Sequence, residues 1–177
     1  KPIIKIIFPI FTNALLLDDM FIDFFRDNKN LIPVVSIEGN IDETDSRRGD
    51  GVFARISENI NLLKQNKIFF GISLTVTSQN FSLVTGDDFI GKFINTGCQL
   101  FFFVEYVPVR EELKYLVMND EQRNALDSVE MKLKNRFDGL FIAFPGDEKQ
   151  YGGCLAAGRG FIHIGPDGSV EPCTFAP

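Results

Sequence analysis

The sequence has no tryptophan, one histidine (His163) and only three cysteines in 177 residues. Three irregularly spaced cysteines are too few for a disulfide framework in a chain this long, which points to a reducing compartment, the cytoplasm. Basic character is also scarce. Lys and Arg number 18 against 24 Asp and Glu, the net charge is −6, and no basic block occurs. Neither nucleic acid nor an anionic membrane surface is therefore an expected partner. No apolar run is long enough to span a bilayer. The opening KPIIKIIFPIF is broken by Lys5 and Pro9 and lacks a small-residue cleavage site, so it does not read as a signal peptide. The chain starts at Lys1 without a methionine, inside an apolar run, and is expected to be a piece of something longer.

Phenylalanine is the residue in excess, with nineteen copies. Alongside many Ile, Asn and Lys, that excess reads as codon bias and carries no chemistry. Apolar residues make up 45% and charged residues 24%, ordinary values for a globular protein. The length suits one domain, or one and a fraction, with room for a substantial core.

Short β-branched and aromatic runs recur at Ile3–Phe11, Leu31–Ile37, Ile68–Val76, Gln99–Val104 and Leu140–Phe144. They show no polar alternation, the pattern of parallel strands buried on both faces. Helical stripes lie between them. The first is Leu16, Met20, Phe21, Phe24 and Phe25; the second is Val52, Phe53, Ile56, Ile60 and Leu63, ending near Asn66. A third holds Phe89, Ile90, Phe93 and Ile94, with Thr85 and Asp88 placed as a capping box and Gly97 as a stop. A longer helical region begins near Glu111 and breaks near Asn119-Asp120. Asp120 is placed to cap its second piece, where Leu126, Val129 and Leu133 face the core. Strand and helix alternating at this spacing predict an α/β fold of parallel βα units. From Gly146 the texture turns glycine-rich, placing a module boundary near Gly146–Tyr151.

Ligands of parallel α/β folds bind at the C-terminal ends of the strands, and here those ends are polar. They carry Thr12-Asn13, Ser36-Ile37-Glu38-Gly39, Thr75 and Thr77 followed by Asn80, Glu105-Tyr106, and Pro145-Gly146-Asp147-Glu148. Strand ends are also polar simply because loops begin there. After the second strand comes SIEGNIDETDSRRGDGVF, with Arg47 and Arg48 on a glycine-bounded turn before a helix. A guanidinium there can reach back over the rim to a carboxylate, or it can pair in solvent with Asp42, Asp45 or Asp50 at little energetic gain. At the far end, thirteen residues separate Cys154 from Gly168 and four more separate Gly168 from Cys173, around a turn at Pro166-Asp167-Gly168. Two thiols bracketing a hairpin suit metal or cluster ligation; buried free thiols are the other reading.

These residues, in this order, resemble the radical S-adenosylmethionine (radical SAM) enzyme family. Ser36-Ile37-Glu38-Gly39, then Asp45-Ser46-Arg47-Arg48-Gly49 before a helix, is similar to the middle of such an enzyme. Thr12-Asn13-Ala14 sits where the family has Thr-Asn-Gly at the end of the third barrel strand. The Cys154–Gly168–Cys173 spacing is similar to the opening of an auxiliary-cluster extension of the SPASM or twitch type. The resemblance implies part of a TIM-like barrel over residues 1–145, third strand onward, and the start of a small β-hairpin extension over 146–177. It implies that Thr12, Asn13, Ser36, Glu38 and Arg48 line a site for S-adenosylmethionine, with Ser36 and Arg48 at its methionine carboxylate or ribose. It also implies that Cys154 and Cys173 ligate an auxiliary iron–sulfur cluster whose other ligands lie beyond Pro177.

Departures from the family pattern are equally specific. The Cys-x-x-x-Cys-x-x-Cys motif that holds the family's [4Fe–4S] cluster is absent, as is the Gly-Gly-Glu segment that binds the cofactor's amino group. Ala14 replaces a glycine and Glu38 the commoner aspartate. The resemblance therefore implies an inactive part, without bound cofactor, of an iron–sulfur oxidoreductase or maturase. Such a parent cleaves the cofactor to a 5′-deoxyadenosyl radical and draws electrons from a flavodoxin- or ferredoxin-type donor. Its substrate is a peptide or a small molecule. A part lacking the first two strands is expected to self-associate through the Ile3–Phe11 edge.

The remaining candidates divide between bland and functional readings. Cys98 reads as an ordinary buried cysteine, and His163 as a hydrogen-bonded structural histidine rather than a ligand. Arg159 is placed either to stabilise cluster charge or as an exposed loop arginine. Glu105 and Tyr106 are substrate contacts or structural residues, and Asp147-Glu148 an acidic substrate contact or a solvated turn. Two further functions stay open: a non-catalytic α/β domain binding a small molecule or partner, and a small β/α enzyme using Glu38 or Glu105 as acid or base.

Overall fold

A computed structural model of the chain describes residues 6–144, 152–156 and 158–173. The chain divides after Phe144 into two units. The expected boundary at Gly146–Tyr151 lies outside the described residues, as do Asp147-Glu148 and the first residues of the Ile3–Phe11 run.

In the first unit the order is β1 (Phe8–Thr12), α1 (Asp19–Asp27), β2 (Leu31–Ile37), α2 (Ile41–Arg48), α3 (Val52–Gln65) and β3 (Gly71–Val76). It continues with α4 (Phe81–Val84), α5 (Asp87–Asn95), β4 (Leu100–Glu105), a 3-10 helix (Glu111–Leu116), α6 (Asp120–Arg136) and β5 (Leu140–Phe144). The five strands are parallel and lie in chain order, β1-β2-β3-β4-β5. This is the α/β arrangement of parallel βα units expected from the sequence.

The core forms on the helix-covered face of this sheet. Val35 and Ile37 of β2, Ile72, Leu74 and Val76 of β3, Phe101 and Phe103 of β4, and Phe141 of β5 pack there. Ile22 and Phe25 of α1, Ile56, Ile60 and Leu63 of α3, Phe89, Ile90 and Phe93 of α5, and Leu126 and Leu133 of α6 complete it. The opposite face carries a small separate cluster of Ile32, Val34, Leu100 and Phe102. Phe11 joins it edge-on to Phe102, with ring centroids 5.3 Å apart.

Three expected details shift. On α1 the buried side chains are Ile22 and Phe25, whereas Leu16 and Met20 are 83% and 68% exposed and Phe21 and Phe24 are exposed too. Asp18 sets the phase by accepting the Phe21 N–H at 3.0 Å, so the helix begins after Leu16 and turns a different stripe inward. The capping box at Thr85 and Asp88 does not form. Thr85 Oγ1 donates to the Phe81 carbonyl at 2.7 Å, closing α4, and Gly86 precedes α5. The cap of α6 is Asn119, one residue before Asp120: its Oδ1 accepts from Gln122 N at 2.8 Å and Gln122 Oε1 accepts from Asn119 N at 3.1 Å.

The second unit contains a hairpin of β6 (His163–Ile164) and β7 (Val170–Glu171), antiparallel with His163 opposite Glu171. The turn at Pro166-Asp167-Gly168 is closed by Gly165 N donating to Ser169 O at 2.8 Å, and Asp167 Oδ1 accepts from Ser169 N at 3.0 Å. Hydrogen bonds from the Ser169 N–H and hydroxyl hold the Asp167 carboxyl below its usual range. His163 Nδ1 lies 2.7 Å from Glu171 Oε2, so the only histidine is hydrogen-bonded, and that bond lowers the Glu171 pKa.

Candidate functional site

The strands place a row of hydroxyls on the face that the helices leave open. In the pairing register Ser36 lies level with Ser73, Phe102 and Ile142. One step further along, Thr75 lies level with Val104 and Phe144. Polar Ser36, Ser73 and Thr75 thus meet an apolar wall of Phe11, Phe102, Ile142 and Phe144 at the C-terminal half of the sheet. The Ser36 and Ser73 hydroxyls are committed to no other described residue.

β2 then runs into Glu38, which is nearly buried, with 6% of its side chain exposed. Burying a lone carboxylate costs several kcal/mol, and this one is met by two guanidiniums. Arg47 Nη1 donates to Oε2 at 2.5 Å, while Arg48 donates to Oε1 from Nε at 3.0 Å and from Nη2 at 2.6 Å. Both arginines lie on the last turn of α2, where cations also complement the helix dipole. Of the two readings of these arginines, the reach back over the rim to a carboxylate is the one observed: they pair with Glu38 rather than with Asp42, Asp45 or Asp50. Asp45 instead accepts from Gly51 N at 2.9 Å and Phe53 N at 2.7 Å, capping α3. Glu43 accepts the Asn40 N–H at 2.9 Å, opening α2.

The glycines of the two motifs have physical causes. A Cβ on Gly39 would fall 2.9 Å from Glu43 Cβ, so only glycine lets α2 start this close to the strand end. Gly49 closes α2 at φ 108°, a conformation that L side chains rarely adopt.

Asn80 is the residue whose importance the sequence reading missed. It is buried, and its Nδ2 donates to both the Glu38 and the Thr75 carbonyl, each at 2.9 Å. Its Oδ1 accepts from Thr77 N at 2.7 Å and from Thr77 Oγ1 at 3.1 Å. One amide therefore fixes the end of β2 against the end of β3.

Thr12 and Asn13 are spent largely on a local turn. Thr12 Oγ1 accepts from Ala14 N at 3.0 Å, and Asn13 Oδ1 accepts from Leu15 N at 3.1 Å. Thr12 pairs with Val35, so it shares the parity of the helix-covered face, opposite to Ser36. Ala14 has φ 57°, in the left-handed region that favours glycine. The Asn59 amide on α3 holds its carbonyl at 2.5 Å.

Glu105, at the end of β4, accepts from Arg123 Nε at 2.5 Å, which raises the Arg123 pKa. Gln122 Nε2 reaches the Ser78 carbonyl at 3.0 Å. The loop after β3 and the end of β4 are thereby tied to α6, a structural use of Glu105.

Cys98 is buried before β4, and burial pushes its thiol up to about 12, making it an inert hydrophobe. In the second unit Cys154 is exposed and Cys173, after β7, is half-buried; none of the three is in a disulfide. Arg159 Nη1 donates to the Cys154 carbonyl at 3.0 Å. Among the described residues no three His, Cys, Asp or Glu side chains cluster as a metal-binding group. Among those residues, too, no helix is long and apolar enough to cross a membrane.

No family model matches the sequence, and no curated protein does. Solved structures match nearly all of it. Streptococcus suis SuiB bound to S-adenosylmethionine superposes with a TM-score of 0.70 at 19% identity, covering 96% of this chain and 43% of that one. SuiB bound to its precursor peptide SuiA matches at 18% identity with a TM-score of 0.66, covering 97% and 43%. Native anSMEcpe with bound AdoMet and Cp18Cys peptide gives 0.65 at 18% identity, covering 94% and 51%. The chain thus has the fold of these structures and spans about half of their length or less.

Proposed function

We propose that this chain is part of a radical SAM iron–sulfur enzyme: a partial barrel over 1–145 followed by the start of an auxiliary-cluster extension over 146–177. The observation that carries the reading is the rim beside Ser36. Hydroxyls, a buried Glu38 and two arginines stand at the strand ends of a fold whose similar structures include ones bound to S-adenosylmethionine.

The residues present suit the cofactor. Ser36, Ser73 and Thr75 offer hydroxyls to a ribose or amino-acid group, the arginine pair offers cationic donors to a carboxylate, and Phe11, Phe102, Ile142 and Phe144 form an apolar wall. When bound to a reduced cluster, S-adenosylmethionine supplies hydrogen-atom abstraction. This chain's part in that chemistry is to bind and orient. The open sheet face holds the ligand from one side, and α2 brings its charge to one end.

For the [4Fe–4S] cluster itself these residues do not fit, because Cys98, Cys154 and Cys173 are too widely spaced in the sequence to supply the Cys-x-x-x-Cys-x-x-Cys ligand set. The cluster's ligands lie in the longer protein, which draws its electrons from a separate partner of flavodoxin or ferredoxin type. A peptide is the favoured substrate, in keeping with similar structures that contain one. A cytoplasmic location belongs to the same proposal, argued from the number and spacing of cysteines in the sequence.

Anaerobic reconstitution of the longer protein should give a brown, iron-loaded enzyme that converts S-adenosylmethionine to 5′-deoxyadenosine on reduction. A colourless protein inert toward the cofactor sinks the reading. In the same preparation, Cys154→Ala with Cys173→Ala should remove the auxiliary iron and leave cofactor cleavage in place. Unchanged iron content would show that these thiols ligate nothing and would favour a binding domain that shares only the architecture.

The 177-residue chain by itself is expected to pair with a second copy. β1 is an edge strand of the described sheet, with Phe8, Ile10 and Phe11 exposed, and α1 adds exposed Met20, Phe21 and Phe24. Each large side chain left wet forgoes roughly 1.5–3 kcal/mol of burial, and an open strand edge templates further pairing. Sedimentation at tens of micromolar (~) should show a dimer or larger; a clean monomer counts against it.

A further inference from the structure

The open face of the sheet is a trough whose two halves differ in chemistry. Phe11 on β1 and Phe102 on β4 meet edge-on at 5.3 Å although β2 and β3 lie between their strands. Val34, on the same face, has no exposed surface. The ring pair therefore floors the trough, and the space above it opens at the C-terminal strand ends, where ligands of parallel α/β folds bind. Above the floor β2 and β3 present Ser36, Ser73 and Thr75, whereas β4 and β5 present Val104 and Ile142, the latter 40% exposed. Charge is kept out of this second half. Glu105, of opposite parity on β4, accepts from Arg123 of α6, and no residue of β4 or β5 with the parity of Phe102 is charged. The next position of that parity is Tyr106, whose N–H donates to the Val76 carbonyl at 3.0 Å and continues the ladder one step past Glu105. Tyr106 is half-buried, and its hydroxyl bonds to no other described residue.

We propose that the β4–β5 half of the trough is the substrate's: it takes a peptide residue with an uncharged, apolar side chain against Val104 and Ile142, and the Tyr106 hydroxyl donates to that peptide's backbone carbonyl. The inference rests on the S-adenosylmethionine and peptide reading above and narrows its substrate class. Neighbouring strands lie about 4.8 Å apart, so β2 and β5 are separated by roughly 14 Å. A cofactor held by the hydroxyls of β2 and β3 leaves the other half for a second ligand beside it, and hydrogen-atom abstraction needs the two in contact. A charged side chain placed there would shed its hydration with no opposite charge to meet it. An aliphatic one adds its own burial to that of the wall.

The test titrates blocked pentapeptides, four glycines around a central leucine, aspartate or lysine, into the longer protein saturated with S-adenosylmethionine, read by calorimetry. The leucine peptide should bind at least about tenfold more tightly than either charged one. Ile142→Lys should abolish its margin over the aspartate peptide. Ile142 is partly exposed, and the readout is a ratio between peptides in one preparation, which a partial loss of folded protein does not change. Tyr106→Phe should weaken the leucine peptide about three- to tenfold at an unchanged ratio. Equal affinity for the three peptides, a charged peptide binding best, no peptide binding, a wild-type ratio in Ile142→Lys, or wild-type affinity in Tyr106→Phe each overturn the assignment and leave the cofactor reading standing. A wild-type protein that takes up no S-adenosylmethionine overturns that reading, and this inference with it.

Discussion

Phe101→Ala is expected to destabilise the first unit by about 3–5 kcal/mol, the cost of emptying a fully buried aromatic site. Phe101 has no exposed surface and sits level with Phe141 in the pairing of β4 with β5. The two rings stack at 4.9 Å between centroids and 16° between planes, a contact worth roughly 0.5–1.5 kcal/mol beyond burial alone. Leu126 and Leu133 of α6 belong to the same core. Domains of this size have only about 5–15 kcal/mol in hand, so the substitution removes a large share. Denaturant unfolding read by circular dichroism measures it, as a fall in midpoint at unchanged slope. Phe101→Leu, which keeps most of the volume, should lose less than half as much; equal losses for both variants would remove the stack from the explanation.

The parallel wall was legible in the sequence because its strands are long apolar runs separated by helix-length segments. Leu31–Ile37 and Leu140–Phe144 coincide with β2 and β5, and the other runs overlap β1, β3 and β4. What blurred was one-sidedness. Read as buried on both faces, Gly71–Val76 hides an alternation: Ile72, Leu74 and Val76 pack under the helices, whereas Ser73 and Thr75 face the open side with Ser36. That period of two was present in the residues and is the signal by which Ser73 could have been found. The phase of α1 was not recoverable in the same way, because apolar residues occur on two of its faces and only the Asp18 cap and the contact with the sheet choose between them.

At the strand end the sequence pointed to Ser36, Glu38 and Arg48, and the structure pairs Glu38 with Arg48 and with Arg47. The direction of the pairing was hidden. Two adjacent arginines and several nearby acidic residues offer many equivalent pairings on paper. Burial decides among them, since only Glu38 leaves solvent and so only Glu38 requires strong partners. Thr12 and Asn13 illustrate the converse. Their types fit a binding rim, and beside a left-handed residue each also accepts a local turn bond, which spacing in the sequence did not announce. For Cys154 and Cys173, pattern spacing alone fixed a hairpin between them, and the hairpin is there. Ligation is a further step that spacing does not supply.

Asn80→Ala is the substitution that should couple stability to the site most directly. It removes both donors from the Glu38 and Thr75 carbonyls, and each buried carbonyl left unpaired costs about 1–3 kcal/mol. It also frees the Thr77 N–H and hydroxyl that close the turn after β3. A total loss of about 2–4 kcal/mol is expected, since water reaches part of the gap. Asn80→Asp separates the two halves of this argument: it retains acceptors for Thr77 but presents no donor to the carbonyls, so it should be at least as unstable as alanine. The site should respond as well. With the Glu38 carbonyl released, the Ser36–Gly39 segment loses its tie to β3, and S-adenosylmethionine affinity of the longer protein should fall about tenfold, at temperatures where the variant remains folded. An unfolding midpoint unchanged in Asn80→Ala would show that the two strand ends are held by their pairing alone, and that this amide fastens nothing.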